Sequence, residues 1–418
     1  MEDLHILALL VALAIILIAA KGSGILAVRL GQPAVLGELT AGVILGPSVI
    51  DIFGPNLFGI SSFDYLNSEV IRGTTLTLAE LGVIFLMFLA GLETDLAEVN
   101  KVRRVAFLAG AMGVIFPLAF GTLVTLPFDL STKEALFAGI ILSATSVSIS
   151  ARTLMELGVL QKREGISILA AAVIDDVLVL LILSFFIAFA VDSADGGGGA
   201  TEALLIVGRV ILFFIVALII GLFVLPPLAK WSANASMSEG VIATTLVVVL
   251  LSAWFAEYVG EVAMITGAFL AGIFMRRTEV HSLIDEKMRT FAYGFFVPIF
   301  FVGVGLRADA GSFEGSDVLL LIAITAVAVV SKIVGSGLGA RLAGESTRSS
   351  IQIGTGMVSR GEVGLIVATV GLNQGLVSES LFSVMVLMVL ATTLITPILL
   401  KIAFSGEQEV EEMEEEHV

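Results

Sequence analysis

The stretch "LAAAVIDDVLVLLIL", residues 169–183, sets two aspartates side by side inside an apolar run from Ile166 to Val191. Ionisable groups are expensive in hydrocarbon, and where they occur there they mark ion paths, proton relays or paired partners. The fold therefore turns on whether this run lies in a membrane, and the function on what Asp175 and Asp176 do in it.

The rest of the chain answers the first question. Of its 418 residues, 57% are hydrophobic and 14% charged, with a mean hydropathy of +1.06. That is far more apolar than a water-soluble domain of this length and defines an integral membrane protein. Apolar windows of roughly 20 residues, enough to cross a ~30 Å hydrocarbon core, recur thirteen times: at 4–28, 33–50, 74–96, 104–126, 133–155, 164–190, 203–224, 239–256, 259–276, 289–306, 317–341, 349–373 and 379–402. The expected fold is all-α. The first run follows Glu2 and Asp3 rather than a basic segment, which predicts a retained helix and not a signal peptide.

Charge orients the spans. Alternation across thirteen crossings places sixteen of the 22 Lys and Arg on one side, among them Lys101, Arg103, Arg104, Lys162, Arg163, Arg276 and Arg277. Arg72, Lys133, Arg209 and Arg307 fall on or near the other side, and Lys332 and Arg360 lie within the membrane. Cytoplasmic loops are the Lys/Arg-rich ones, so a multi-pass protein of the cytoplasmic membrane is expected, N-terminus outside and C-terminus inside. The net charge of −16 collects in connecting segments and in the tail "GEQEVEEMEEEHV", residues 406–418, expected to be solvated and disordered. Absence of cysteine and three scattered histidines exclude disulfides, thiol catalysis and cysteine metal sites.

The chain also resembles itself. "GELTAGVIL" (37–45) aligns with "GAFLAGIFM" (267–275), and "GLETD" (91–95) with "GLRAD" (305–309). An odd number of spans separates the members of each pair, so spans 1–6 and 8–13 read as repeats of opposite topology, joined by the seventh span and the loop "DSADGGGGATE" (192–202). Inverted repeats give many secondary transporters their two access states, with the ion site near the midplane at interrupted helices. "LSATSVSISAR" (142–152), dense in hydroxyls, and its repeat partner "GTGMVSRGEVG" (354–364) are the candidate breaks, where freed backbone groups face a cavity rather than lipid.

Seven ionisable groups fall within the spans: Glu38, Glu80, Asp175, Asp176, Lys332, Arg360 and Glu362. Counted at 1.5 Å per residue, Asp175 and Lys332 both lie roughly 13–18 Å from the cytoplasmic side and can pair. Adjacent helical residues point about 100° apart, so Asp175 and Asp176 have different jobs: one meets the cavity as cation ligand, the other finds Lys332. Protons and cations then compete for the same oxygens, which suffices for antiport. Arg360 and Glu362 are candidates to balance the half-helix ends. Glu38 and Glu80 either line a funnel or pair at a helix interface. Carboxylate and hydroxyl oxygens are hard ligands suited to an alkali cation. "GSGLGA" (335–340) matches a dinucleotide pattern, but it lies in a membrane span with no preceding strand and is expected to serve helix packing through Gly335 and Gly339. Neither nucleotide nor nucleic acid is an expected partner, and no cofactor is expected. An intramembrane aspartyl protease, the enzymatic alternative, needs its carboxylates on two helices sharing a proton, and no GxGD stretch accompanies Asp175 or Asp176. A passive channel is the other alternative, told apart by uncoupled flux.

Six stretches, "PAVLGELTAGVILGPS", "FLAGLETDL", "SATSVSISARTLMELG", "AAVIDDVLVL", "SKIVGSGLGARLAG" and "GMVSRGEVGLI", together resemble the cation:proton antiporter-2 family, most closely its sodium/proton exchangers, over essentially the whole chain. The resemblance implies a homodimer with a panel domain (about 4–96 and 239–306), a mobile core domain (about 104–190 and 317–402) with crossed discontinuous helices, a linker helix (about 203–224) and elevator-like displacement, all within a membrane domain of 1–402 that precedes an acidic tail at 403–418. It implies Asp176 as the principal ion and proton carrier, Asp175 as a further Na+ ligand and partner of Lys332, and Thr145 with Ser146 as the polar lining. The double-aspartate form is similar to electrogenic members. Potassium-efflux members often carry a cytoplasmic nucleotide-binding domain, which this sequence does not include; sodium is therefore the expected cargo and potassium the alternative.

Overall fold

Within hydrocarbon each backbone amide must bond inside its own segment, so apolar runs of this length can only be helices unless they close a barrel. The computed structural model describes residues 2–47, 49–53, 69–94, 96–128, 130–190, 199–234, 239–307 and 317–415, and every regular element within them is helical. In chain order these are α1 (Glu2–Arg29), α2 (Ala34–Leu45), α3 (Glu69–Glu93), α4 (Leu96–Thr125), α5 (Thr132–Ser143), α6 (Val147–Glu156), α7 (Arg163–Ala190), α8 (Gly199–Ile219), α9 (Leu225–Asn234), α10 (Gly240–Tyr258), α11 (Met264–Met275), α12 (His281–Phe291), α13 (Val297–Leu306), α14 (Val318–Leu342), α15 (Thr347–Gly356), α16 (Glu362–Asn373) and α17 (Glu379–Glu415). Among the described residues ten helical stretches are long and apolar enough to cross a membrane, and Ala34–Leu45, Met264–Met275 and Val363–Leu372 are shorter apolar helices. The thirteen spans read from sequence fall on these.

The protein is therefore a multi-pass, all-helical membrane protein. Of the similar motifs, "GELTAGVIL" lies in α2 and "GAFLAGIFM" in α11, each helix 12 residues long. The second motif pair closes α3 and α13, with Asp95 and Asp309 outside the described residues. Most of the loop 192–202 lies outside them too.

The chain forms two compact units, Met1–Lys21 with Ala41–Lys101 and Asp176–Arg307, and Gly22–Thr40 with Val102–Asp175 and Ala308–Val418. In the first, α3 packs on α11 and α13, and α10 on α11. The α3–α11 approach is backbone to backbone: a Cβ at Gly91 would fall on the Phe269 carbonyl, and one at Gly272 on that of Phe88. In the second unit α14 packs on α15 and α17, α17 on α6 and α16, and α16 on α5. Here "GSGLGA" is a packing surface: a Cβ at Gly339 would fall on the Leu108 carbonyl of α4, and one at Gly335 would lie 2.6 Å from that of Met112. Small residues that admit a neighbouring backbone are the usual glue of membrane helices.

Some elements depart from the sequence reading. The tenth span starts earlier, at His281, because α12 is a polar amphipathic helix held by the Arg289–Asp285 pair at 2.8 Å, which a hydropathy window passes over. Five-residue π-helical segments, Ile220–Val224 and Ala292–Phe296, join α8 to α9 and α12 to α13. The acidic tail, expected to be disordered, continues α17 as helix to Glu415; Glu, Gln and Met are strong helix formers.

Candidate functional site

The hydroxyl-rich fifth span breaks after Ser143. Ala144 is extended (φ −61°, ψ 138°), Ser146 likewise (φ −105°, ψ 111°), and α6 resumes at Val147. The twelfth span breaks between Gly356 and Glu362. The two breaks meet: Ser146 N–H donates to the Ser359 carbonyl at 2.8 Å.

A broken helix exposes carbonyls at its C-terminal end, where the helix dipole is negative. The structure supplies them with donors from the other broken span. Ser150 Oγ of α6 donates to the Gly356 carbonyl at 2.6 Å. Arg360, fully buried, donates to the Leu142 carbonyl through Nε at 3.1 Å and Nη2 at 2.7 Å. Its Nη2 also reaches the Ala328 carbonyl at 3.0 Å, and Nη1 the Val358 carbonyl. Thr393 Oγ1 of α17 donates in turn to the Arg360 carbonyl. Arg360 thus fixes the crossing by backbone bonds, partners that sequence could not nominate. Glu362 opens α16, and its side chain lies outside the described residues.

Asp175 and Lys332 are both fully buried, with Lys332 Nζ 2.5 Å from Asp175 Oδ1. α7 and α14 bring them together, as their common depth predicted. Thr145, in the α5–α6 break, places its hydroxyl toward the Asp175 carboxylate without completing a hydrogen bond. Asp175 Oδ2, Thr145 Oγ1 and Ser359 Oγ are buried with no hydrogen-bond partner among the described residues. Unsatisfied buried oxygens of this kind mark a place for an ion or a water. Ser146 is fully buried, its Oγ 2.9 Å from Ser148 Oγ. Asp176, 4% exposed, follows Asp175 without interruption in α7 and so points about 100° away.

The other two carboxylates behave differently. Glu80 pairs with Arg307 at 3.0 Å, both partly exposed, which makes it an interface ion pair. Glu38 is buried at 2% exposure, with its Cγ 3.7 Å from where a Cβ at Gly24 would stand.

Paired breaks crossing beside a buried carboxylate and ammonium, in a many-helix membrane protein, define a secondary transporter. Comparison with known proteins gives the family: the model of the transmembrane sodium/hydrogen exchangers matches residues 10–406, and the chain belongs to that family. It is 37% identical over 395 residues to the Na(+)/H(+)-K(+) antiporter GerN of Bacillus cereus, covering 94% of this chain and 96% of that one. It is 35% identical over 397 residues to a Na(+)/H(+) antiporter of Enterococcus hirae, covering 93% and 96%. Among solved structures, the sodium proton antiporter MjNhaP1 of Methanocaldococcus jannaschii at pH 8 shares the fold, with a TM-score of 0.64 over 96% of this chain and 98% of that one at 14% identity. The protein is a cation/proton antiporter and not an enzyme.

Proposed function

We propose that the protein exchanges Na+, and Li+ with it, for H+ across the cytoplasmic membrane by alternating access, moving net charge in each cycle. The observation that carries this reading is the buried Asp175–Lys332 pair beside unsatisfied hydroxyl and carboxylate oxygens at the crossed breaks. Asp176 carries the ion and the proton, Asp175 serves as second ligand and as partner of Lys332, and Thr145 and Ser146 line the cavity. Arg360, with Glu362, balances the half-helix ends. Burial penalises the charged forms of carboxylate and amine alike, so a cation or protons can neutralise the same oxygens and an empty charged site does not cross. In this reading α1–α3 and α10–α13 form the panel of a homodimer, α4–α7 and α14–α17 the moving core and α8 the linker, and α1–α7 and α10–α17 are inverted repeats. The N-terminus lies outside and the acidic C-terminus in the cytoplasm. Potassium is the second candidate cargo, favoured by the likeness to the Bacillus cereus relative, a Na(+)/H(+)-K(+) antiporter.

The test is exchange in proteoliposomes with Na+, Li+ or K+ supplied against an imposed pH gradient, with the membrane potential followed. Sodium-driven proton movement that generates a potential, and that falls to background in Asp176→Asn, is expected. Potassium selectivity promotes the second cargo, and robust exchange in Asp176→Asn moves the site elsewhere.

A further inference from the structure

Ser336 is fully buried, and its Oγ has no hydrogen-bond partner among the described residues. It stands four residues beyond Lys332 on α14, one turn along the same face. Gly113 of α4 faces both: a Cβ built there would fall on Ser336 Oγ and lie 3.6 Å from Asp175 Oδ1 and 3.6 Å from Lys332 Nζ. The idle hydroxyl therefore occupies the room that residue 113 leaves by having no side chain, and the ion pair borders that room. Ser331 also has an unpartnered buried hydroxyl, but it is adjacent to Lys332 and so projects about 100° away from it.

A lysine ammonium carries three donors on a flexible stem. A cation drawn to Asp175 competes with that ammonium for the carboxylate oxygens, and a buried ammonium that gives up one acceptor is stabilised by gaining another. We propose that Ser336 is a positioning residue, the reserve acceptor that takes a hydrogen bond from Lys332 when Asp175 turns to the cation, with Gly113 leaving the room its hydroxyl occupies. This rests on the reading of Asp175 and Lys332 as part of the ion site. The reserve bond stabilises the cation-loaded state, so its loss weakens sodium binding more than it slows turnover at saturation.

The test uses the full chain in proteoliposomes and reads the sodium concentration for half-maximal exchange and the maximal rate at fixed pH. Ser336→Ala is expected to raise the half-saturating concentration about ten-fold, the order of one charge-assisted hydrogen bond, with the maximal rate little changed. Ser336→Thr, which keeps the hydroxyl, stays close to wild type. Gly113→Ala, whose Cβ takes the place of Oγ, also weakens sodium binding, and the double variant Gly113→Ala/Ser336→Ala is no worse than Ser336→Ala, because the atom that Cβ would strike is gone. Wild-type sodium dependence in Ser336→Ala, or effects of the two substitutions that simply add, overturns the proposal. Asp176→Asn measured alongside separates the two readings: if it abolishes exchange while Ser336→Ala is silent, only the reserve acceptor fails; if it leaves exchange intact, the ion site itself is misplaced.

Discussion

Arg360 is fully buried, and four of its donor contacts end on backbone carbonyls. Removing it strips the carbonyls of Leu142 and Ala328 of a donor in a place that water does not reach, at about 1–3 kcal/mol for each buried group left unsatisfied. Arg360→Ala should therefore show a clearly lower unfolding temperature in detergent. Arg360→Lys should fall between it and wild type, since an ammonium offers a point charge where guanidinium offers a planar fork. An unchanged melt in Arg360→Ala would mean that these bonds do not hold the crossing. At this scale the sequence was uneven. The meeting of Asp175 with Lys332 was legible because two opposite charges at one depth have few other ways to be accommodated. The partners of Arg360 were not, because nothing in a residue's identity tells which backbone carbonyl a helix break has freed. Ser336 and Gly113 carried no signal at all: a serine and a glycine in membrane helices are ordinary until the distance between them is known.

At the scale of the element, glycine has opposite meanings that only packing separates. Gly339 of α14 lies against the backbone of α4, whereas Gly208 of α8 has nothing within 4 Å of the position a Cβ would take. Gly339→Ala should push α14 off α4 and destabilise by about 1–3 kcal/mol, the usual cost of overpacking. Gly208→Ala removes a poor helix former from a helix interior and should be neutral or stabilising by up to about 1 kcal/mol. Thermal melts of the two variants check the pair, and equal shifts would contradict the close approach at Gly339. The sequence located both helix breaks within a few residues, since hydroxyls and glycines concentrate where a membrane helix can afford to stop. The π-helical segments "IGLFV" and "AYGFF" escaped, because a one-residue widening of a helix leaves hydropathy untouched.

For the whole molecule, the pattern of positive charge decides which way the chain enters the bilayer. The span built from α5 and α6 is the most useful place to test it, since its ends differ in sign of prediction while belonging to one compact unit. Thr132, the first residue of α5, lies at the side poor in Lys and Arg, and Gln161, between α6 and α7, lies beside Lys162 and Arg163 at the rich side. Both are exposed. With no cysteine anywhere in its 418 residues, the protein is its own background for single-cysteine labelling. If the positive-inside bias sets the orientation, a membrane-impermeant thiol reagent applied to intact cells should label Thr132→Cys fully and Gln161→Cys only after permeabilisation. The reversed pattern would invert every assignment of inside and outside. Labelling of both sites in intact cells would mean that the α5–α6 span does not cross the bilayer, which its 25 residues, Thr132–Glu156, are long and apolar enough to do.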